Sequence, residues 1–217
     1  TSGATRTTTL TNGTLDLASY TLTTGLFSSS NSNTRTLAFG TGKITLTGVN
    51  TSIFNTTTVT GMTITGTPVV DCTATTGTSV QTRTFIAGAH GESQSISVNI
   101  NPGTSAVDIF RLATNSGAFK DVTFSSTFTG TIQISNSVII YGNFDSGGTT
   151  VYTGPSTVTF AATSGTKTIK TSGLVIDSPV TFNGVGGTWQ LQDALTLGST
   201  RALTMTNGTL QLKSGTT

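Results

Sequence analysis

The segment TSGATRTTTLTNGTLDLASYTL at residues 1–22 returns as TLGSTRALTMTNGTLQLKSGTT at residues 196–217. The two segments align without a gap, and 13 of the 22 positions are identical, including the run NGTL at 12–15 and 207–210. Seven of the identical residues are not Thr, so the Thr-rich composition does not account for the match. The alignment predicts one long repeat, residues 1–195, with the next copy beginning at residues 196–217.

This duplication favours a stacked fold over a closed one. A β-sandwich has no reason to restart its first strands at its end, whereas a solenoid can continue because each coil stacks on the previous one. The expected fold is therefore all-β, a right-handed parallel β-helix (β-solenoid) that runs as a single unit through residues 1–217. With coils of roughly 20–22 residues, the repeat holds about nine coils.

Apolar residues recur at every second position along most of the chain, which is the period of a strand with one face inward. Turn signals rich in Gly, Asn and Ser separate these short runs. Residues 105–115 fit either a helical turn or a strand, and their surroundings favour the strand. The alternating positions are Leu15, Leu17, Leu37, Phe39, Ile44, Leu46, Met62, Ile64, Ile96, Val98, Ile100, Ile132, Ile134, Val158, Phe160, Leu195, Leu197, Leu210 and Leu212.

The composition suits the outside of a stacked coil. The 217 residues include 53 Thr, 24 Ser and 26 Gly, and only 8% are charged. Thr fits an outward pleated surface because its branched Cβ favours strand geometry. The net charge of +2, carried by scattered Lys and Arg, excludes charge-driven disorder and provides no basic face for nucleic acid.

Other features narrow the class of protein further. No apolar run approaches the length of about 18 residues that a membrane span requires, and no signal-peptide pattern opens the chain. Thr1 is not Met, so we expect the sequence to begin inside a longer or processed product. A lone Cys72 excludes an intramolecular disulfide and is expected to be a small buried or half-buried residue.

Several phrases carry a resemblance to a known class of protein. They are FNGVGGTWQLQDALTLGSTRALTMTNGTLQL at 182–212, ISNSVIIYGNFDSGG at 134–148, and the stretches 9–48 and 159–169. These phrases resemble the long Thr/Gly/Ser-rich tandem-repeat proteins of aquatic bacteriophages, and similar phrases occur in secreted β-helical bacterial adhesins. The resemblance covers most of the chain. It implies a fibre or virion-surface structural protein with parallel β-helical repeats, and it brings no catalytic residues.

Few side chains could carry chemistry. The single His90 lies in AGAHGES at 87–93, which predicts an ordinary exposed loop histidine rather than a metal ligand or general base. Asp177 and Asp193 are the nearest acids that could meet on adjacent coils, yet neither is expected to have a nearby basic partner, so solvated turns are predicted. We predict no catalytic, cofactor-binding or metal-binding residue.

The remaining candidates also favour structural roles. Lys120 with Asp121, and Asp108 with Arg111, are expected to form surface ion pairs. The GVGG run at 184–187 is not a phosphate loop, because no Lys-Ser or Lys-Thr follows it. Four aromatic residues could stack on sugars if they point outward, although core packing or isolated surface positions are favoured; they are Tyr20, Tyr141, Tyr152 and Trp189.

These observations predict a structural protein, a rigid β-helical segment of an extracellular or virion-associated fibre built from stacked or tandem repeats. The expected partner is the protein itself, through end-to-end or lateral assembly, with no nucleic acid, no membrane insertion and no cofactor. The alternative is a fibre or adhesin module that binds host-surface polysaccharide. An enzyme is not expected, because clustered carboxylates are missing from the sequence.

Overall fold

The computed structural model describes residues 4–49, 51–74, 80–102, 108–113 and 117–212, and their fold is all-β. One short 3₁₀ helix, η1 (Glu92–Gln94), interrupts the strands. The strands are β1 (Thr7–Thr9), β2 (Gly13–Asp16), β3 (Thr21–Thr24), β4 (Leu26–Ser28), β5 (Arg35–Ala38), β6 (Lys43–Leu46), β7 (Thr51–Asn55), β8 (Met62–Thr65), β9 (Val69–Cys72), β10 (Thr82–Ile86), β11 (Ile96–Ile100), β12 (Ile109–Ala113), β13 (Gly117–Phe124), β14 (Thr131–Ile134), β15 (Val138–Ile140), β16 (Phe144–Asp145), β17 (Val151–Thr153), β18 (Val158–Phe160), β19 (Thr166–Lys170), β20 (Val175–Ile176), β21 (Val180–Leu191), β22 (Thr196–Leu197) and β23 (Leu203–Leu212).

Every strand pairing among the described residues is parallel, and the strands form three stacks. Stack A contains β1, β4, β7, β10, β12, β14 and β17, and continues with β20 and β22. Stack B begins with β2, β5 and β8. Beyond η1 it continues with the first part of β13, then β15 and β18, and then the first parts of β21 and β23. Stack C contains β3, β6, β9, β11, β16 and β19, together with the second parts of β13, β21 and β23.

The chain visits the three stacks in the same order in each turn, so the described residues form about nine coils. Coil 1 consists of β1, β2 and β3, coil 2 of β4, β5 and β6, and coil 3 of β7, β8 and β9. In coil 4, between β10 and β11, η1 replaces the stack B strand, and the Gln94 side chain accepts a hydrogen bond from the Ile64 amide at 2.9 Å. Coils 5 to 9 begin at β12, β14, β17, β20 and β22. The predicted parallel β-solenoid of about nine coils is therefore confirmed.

The coils are not uniform in length. Paired residues lie 19 positions apart between Thr7 and Leu26, but 31 apart between Phe54 and Phe85. The coil length of about 20–22 residues expected from the sequence is therefore too short for coils 2 to 4. The strand interpretation of residues 105–115 is confirmed for β12, whereas positions 105–107 and 114–115 lie outside the described residues. The right-handed twist of the helix and the 195-residue repeat stay predictions.

Aromatic side chains stack on one another inside the solenoid, from coil to coil. The Phe54 ring lies between those of Phe27 and Phe85, with centroid distances of 5.4 and 4.4 Å. Farther along, Phe160 in coil 7 stacks on Phe182 in coil 8 at 5.2 Å, and Phe182 packs against Trp189 of the same coil at 5.3 Å. These rings are fully buried, so each adds apolar burial and a favourable ring contact to the junction between coils.

The two copies of the duplicated segment lie at opposite ends of the solenoid and in different stacks. Residues 7–9 lie in stack A, whereas their counterparts at 203–204 lie in stack B. Residues 13–16 lie in stack B, and their counterparts at 209–211 lie in stack C. Both copies turn at the same Gly, since φ is +78° at Gly13 and +87° at Gly208. The second copy keeps the local bend of the first and occurs one stack farther around the coil.

Candidate functional site: side-chain ladders and the end coil

Polar side chains on the outside of the solenoid bind one another across consecutive coils. In coils 2 to 4, Asp71 accepts a hydrogen bond from the Lys43 Nζ at 2.7 Å and another from the Asn99 Nδ2 at 2.9 Å. The aspartate thus joins three coils through side chains alone. Exposed ion pairs contribute little individually, at about 0–1 kcal/mol, but here the contact is one of a series.

A second ladder joins coils 4 to 7. The Asp121 carboxylate accepts hydrogen bonds from the Ser97 hydroxyl at 2.8 Å and from the Asn143 Nδ2 at 2.9 Å. The Asn143 Oδ1 in turn accepts from the Thr168 amide at 2.8 Å. Asp121 therefore accepts hydrogen bonds from the two adjacent coils, whereas the sequence predicted a surface ion pair with Lys120.

The two acids that were considered as a catalytic pair belong to separate inter-coil contacts. Asp193 accepts hydrogen bonds from the amides of Thr171 and Ser172 at 2.8 and 2.6 Å, which joins coils 7 and 8. Asp177 lies 2.7 Å from the Arg201 Nε and joins coils 8 and 9. The prediction that Asp177 has no basic partner is therefore wrong, since the partner comes from the next coil. The hydrogen bond from Arg201 lowers the pKa of Asp177.

Two arginines point into the solenoid, and their burial was not predicted from the sequence. Arg35 in β5 is 1% exposed and donates to five oxygens of its own coil and of coil 3. The closest of these acceptors is the Thr58 carbonyl at 2.6 Å. Burial lowers the pKa of Arg35. Because the guanidinium has five donors in a fixed plane, it can satisfy several corner carbonyls at once.

The second interior arginine is paired with an acid from the next coil. The Arg83 Nη1 lies 2.9 Å from the Asp108 Oδ2, and both side chains are almost completely buried. Asp108 was expected to pair with Arg111, yet the Arg111 Nε donates instead to the Gln133 side chain. Asp108 therefore forms a buried ion pair with Arg83 of the preceding coil, in place of the expected surface pair with Arg111.

The prediction that His90 lies in an exposed loop is wrong, because His90 is only 7% exposed. Burial and, to a smaller extent, the charge of Arg35 lower the pKa of His90. Cys72 is buried as predicted, and burial raises the pKa of its thiol. Within the described ranges, no group of three or more His, Cys, Asp or Glu side chains is placed to hold a metal ion.

The glycines of the GVGG run make room for an aromatic ring. A Cβ at Gly184 would lie 2.7 Å from the Trp189 ring, and one at Gly208 would lie at the same distance from it. Trp189 is fully buried and Tyr152 is 9% exposed, so neither is available to stack on a sugar. Of the four aromatic candidates, only Tyr20 projects fully into solvent, at 77% exposure.

Coil 9 differs from the interior coils because, among the described residues, it pairs with a coil on one side only. Within the described residues, β23 pairs with β21 alone and β22 with β20 alone. Met205 pairs in register with Phe182, and Leu212 with Leu191, so both are inward positions. Phe182 and Leu191 are buried, whereas Met205 and Leu212 are 45% and 69% exposed. Within the part of the chain that the structure describes, coil 9 therefore has an unpaired strand edge and exposed apolar side chains at inward positions.

No protein-family model matches the chain, and neither does any curated protein sequence or solved structure. The described ranges also contain no helix long and apolar enough to cross a membrane.

Proposed function

We propose that the chain is a structural element, a rigid β-solenoid segment of an extracellular or virion-associated fibre that is built from stacked or tandem repeats. The observation that carries this proposal is the continuity of the inter-coil contacts. Backbone pairing runs through all nine coils, aromatic rings stack inside them, and Asp and Asn ladders join them outside.

Such a molecule resists bending because each coil is bound to the next in three separate stacks. Bending the axis would lengthen hydrogen bonds in one stack and compress side chains in another. The carboxylates most relevant to catalysis, Asp177 and Asp193, are engaged in coil-to-coil bonds. We assign them to this mechanical role and propose no reaction.

Electron microscopy of the native material tests the proposal. Nine coils at about 4.8 Å per stacked strand advance the axis by about 43 Å, so we expect thin, unbranched fibres with an axial period of that order. Globular particles would contradict a fibre role. A gene that encodes many copies at a 195-residue period would support the tandem form of the proposal.

A glycan-binding module is the second candidate, and one observation favours it. Tyr20 is 77% exposed in the turn between β2 and β3, where an aromatic ring can stack on a sugar face. The test is a glycan array with the wild-type chain and with Tyr20→Ala. Binding that disappears in the variant supports this function, and the buried Trp189→Phe variant serves as a control that should bind like the wild type.

A further inference from the structure

The duplicated segment is bound through opposite edges in its two positions. Residues 7–16 pair with β4 and β5, which follow them along the solenoid axis, and their other edge is unpaired among the described residues. Residues 203–212 pair with β21, which precedes them, and their following edge is unpaired in the same part of the chain. The free edge of the second copy is thus the edge by which the first copy binds coil 2.

The contacts that coil 2 makes with the first copy can be reproduced by the second. The Leu10 amide donates to the Ser28 carbonyl at 3.0 Å, and the Leu17 amide donates to the Ala38 carbonyl at 2.8 Å. These are backbone contacts, which any residue can supply at the same position. Leu15 pairs in register with the buried Leu37. The counterparts of the three leucines are Met205, Leu212 and Leu210.

We infer that residues 199–212 of one copy can take the place of residues 4–17 on a second copy of this chain, stacking against residues 26–38 of that copy. The inference rests on the proposed fibre function and specifies its junction. The exchange replaces one strand layer by a closely similar one, which makes it a low-cost route to association. It also covers Met205 and Leu212, which are exposed in the single chain.

The junction is open-ended and rotated. The replaced and the replacing segments are bound through opposite edges, so each copy can accept one neighbour and donate to another. Because the second segment lies one stack farther around the coil, successive copies are offset about the fibre axis by one stack, which is roughly a third of a turn for a three-stack cross-section.

A disulfide that holds the first segment in place tests the exchange. Asp16 pairs in register with Ala38, both facing outward, so Asp16→Cys/Ala38→Cys can be oxidised within one chain. The full-length variant is refolded from denaturant at increasing concentrations, reduced or oxidised, and followed by sedimentation velocity. We expect concentration-dependent oligomers when it is reduced and a single 22.1 kDa species when it is oxidised. Equal association in both states, or no association when reduced, would overturn the inference.

A second cysteine pair reports the register of the junction. Exchange places Gln211 over Ala38 of the next copy, so Gln211→Cys/Ala38→Cys should give a ladder of disulfide-linked multimers. Docking of an intact last coil on an intact first coil, stack over stack, would instead place Gln211 over Thr21, because Leu212 continues the register column that begins at Leu22. If Gln211→Cys/Thr21→Cys cross-links between chains and the first pair does not, the exchange is refuted.

The two proposals can fail separately. If the native material forms fibres and the oxidised Asp16→Cys/Ala38→Cys chain still associates, the fibre role is supported and the exchange is refuted. Globular native material, together with association that oxidation abolishes, would leave the exchange and remove the fibre role.

Discussion

Truncation of the central ring in the aromatic stack should weaken the solenoid at coils 2 to 4. Phe54 is fully buried between Phe27 and Phe85. Removal of a buried Phe side chain typically costs about 3–5 kcal/mol, a range that includes the cavity it leaves. That range already contains the loss of the two ring contacts, each worth about 0.5–1.5 kcal/mol. We therefore expect Phe54→Ala to lower the free energy of unfolding by about 3–5 kcal/mol, and Phe54→Leu to cost far less.

Urea unfolding measures this loss, and hydrogen exchange locates it. The slope of the free energy against denaturant is compared first, because a changed slope would show that the chain no longer unfolds as one unit. Faster amide exchange should be concentrated in coils 2 to 4, since each coil contacts only its neighbours. Tyr20→Ala, at an exposed position, should cost under about 0.5 kcal/mol. A Phe54→Ala loss below about 1 kcal/mol, or faster exchange spread evenly over all coils, would refute the reasoning.

Three further predictions follow from individual contacts. Because burial lowers the pKa of His90, the imidazole takes up a proton at higher pH in the unfolded chain than in the folded one. The free energy of unfolding should therefore fall by at most about 1.4 kcal/mol per pH unit as the pH drops from ~6.5 to the folded pKa. Urea unfolding should show a flatter pH profile for His90→Gln. The pKa of Asp177 is lowered, so its contact with Arg201 stabilises coil 9 fully above the unfolded pKa of the carboxyl and is lost as the pH falls through the folded pKa. Asp177→Asn should therefore reduce the amide protection of coil 9 at pH 7 but not at acid pH. Gly184→Ala would force a Cβ against the Ala162 carbonyl oxygen and bring it to 2.7 Å from the Trp189 ring, so it should cost about 1–3 kcal/mol in thermal or urea unfolding, whereas Gly91→Ala, with open space around it, should be nearly neutral.

Local features of the sequence were enough to predict the fold. Alternation such as Ile96, Val98 and Ile100 specifies which side chains point inward, and β11 buries all three. The Gly and Asn turn signals separate short strands, which fit a sandwich, a barrel or a solenoid. The duplicated segment then favoured an open stack, and the structure confirms a parallel solenoid of about nine coils.

The partners of individual polar residues could not be predicted, because they lie one coil away and the coils differ in length. Asp71 reaches Asn99 across 28 residues, whereas Asp121 reaches Asn143 across 22. A uniform coil length therefore assigns the wrong neighbours. The interior position of Arg35 was missed for a related reason, since its carbonyl acceptors come from corners of two coils and leave no pattern in the sequence.

The burial of the single tryptophan gives the molecule an intrinsic optical probe of its last coil. Trp189 is fully buried in coil 8, and its register partner in coil 9 is Leu210. If coil 9 peels away while coils 1 to 8 stay folded, the indole meets water and its emission shifts to longer wavelength. The fluorescence of unlabelled protein can therefore distinguish fraying at this end from cooperative unfolding, and it can follow in real time whether a neighbour covers the end.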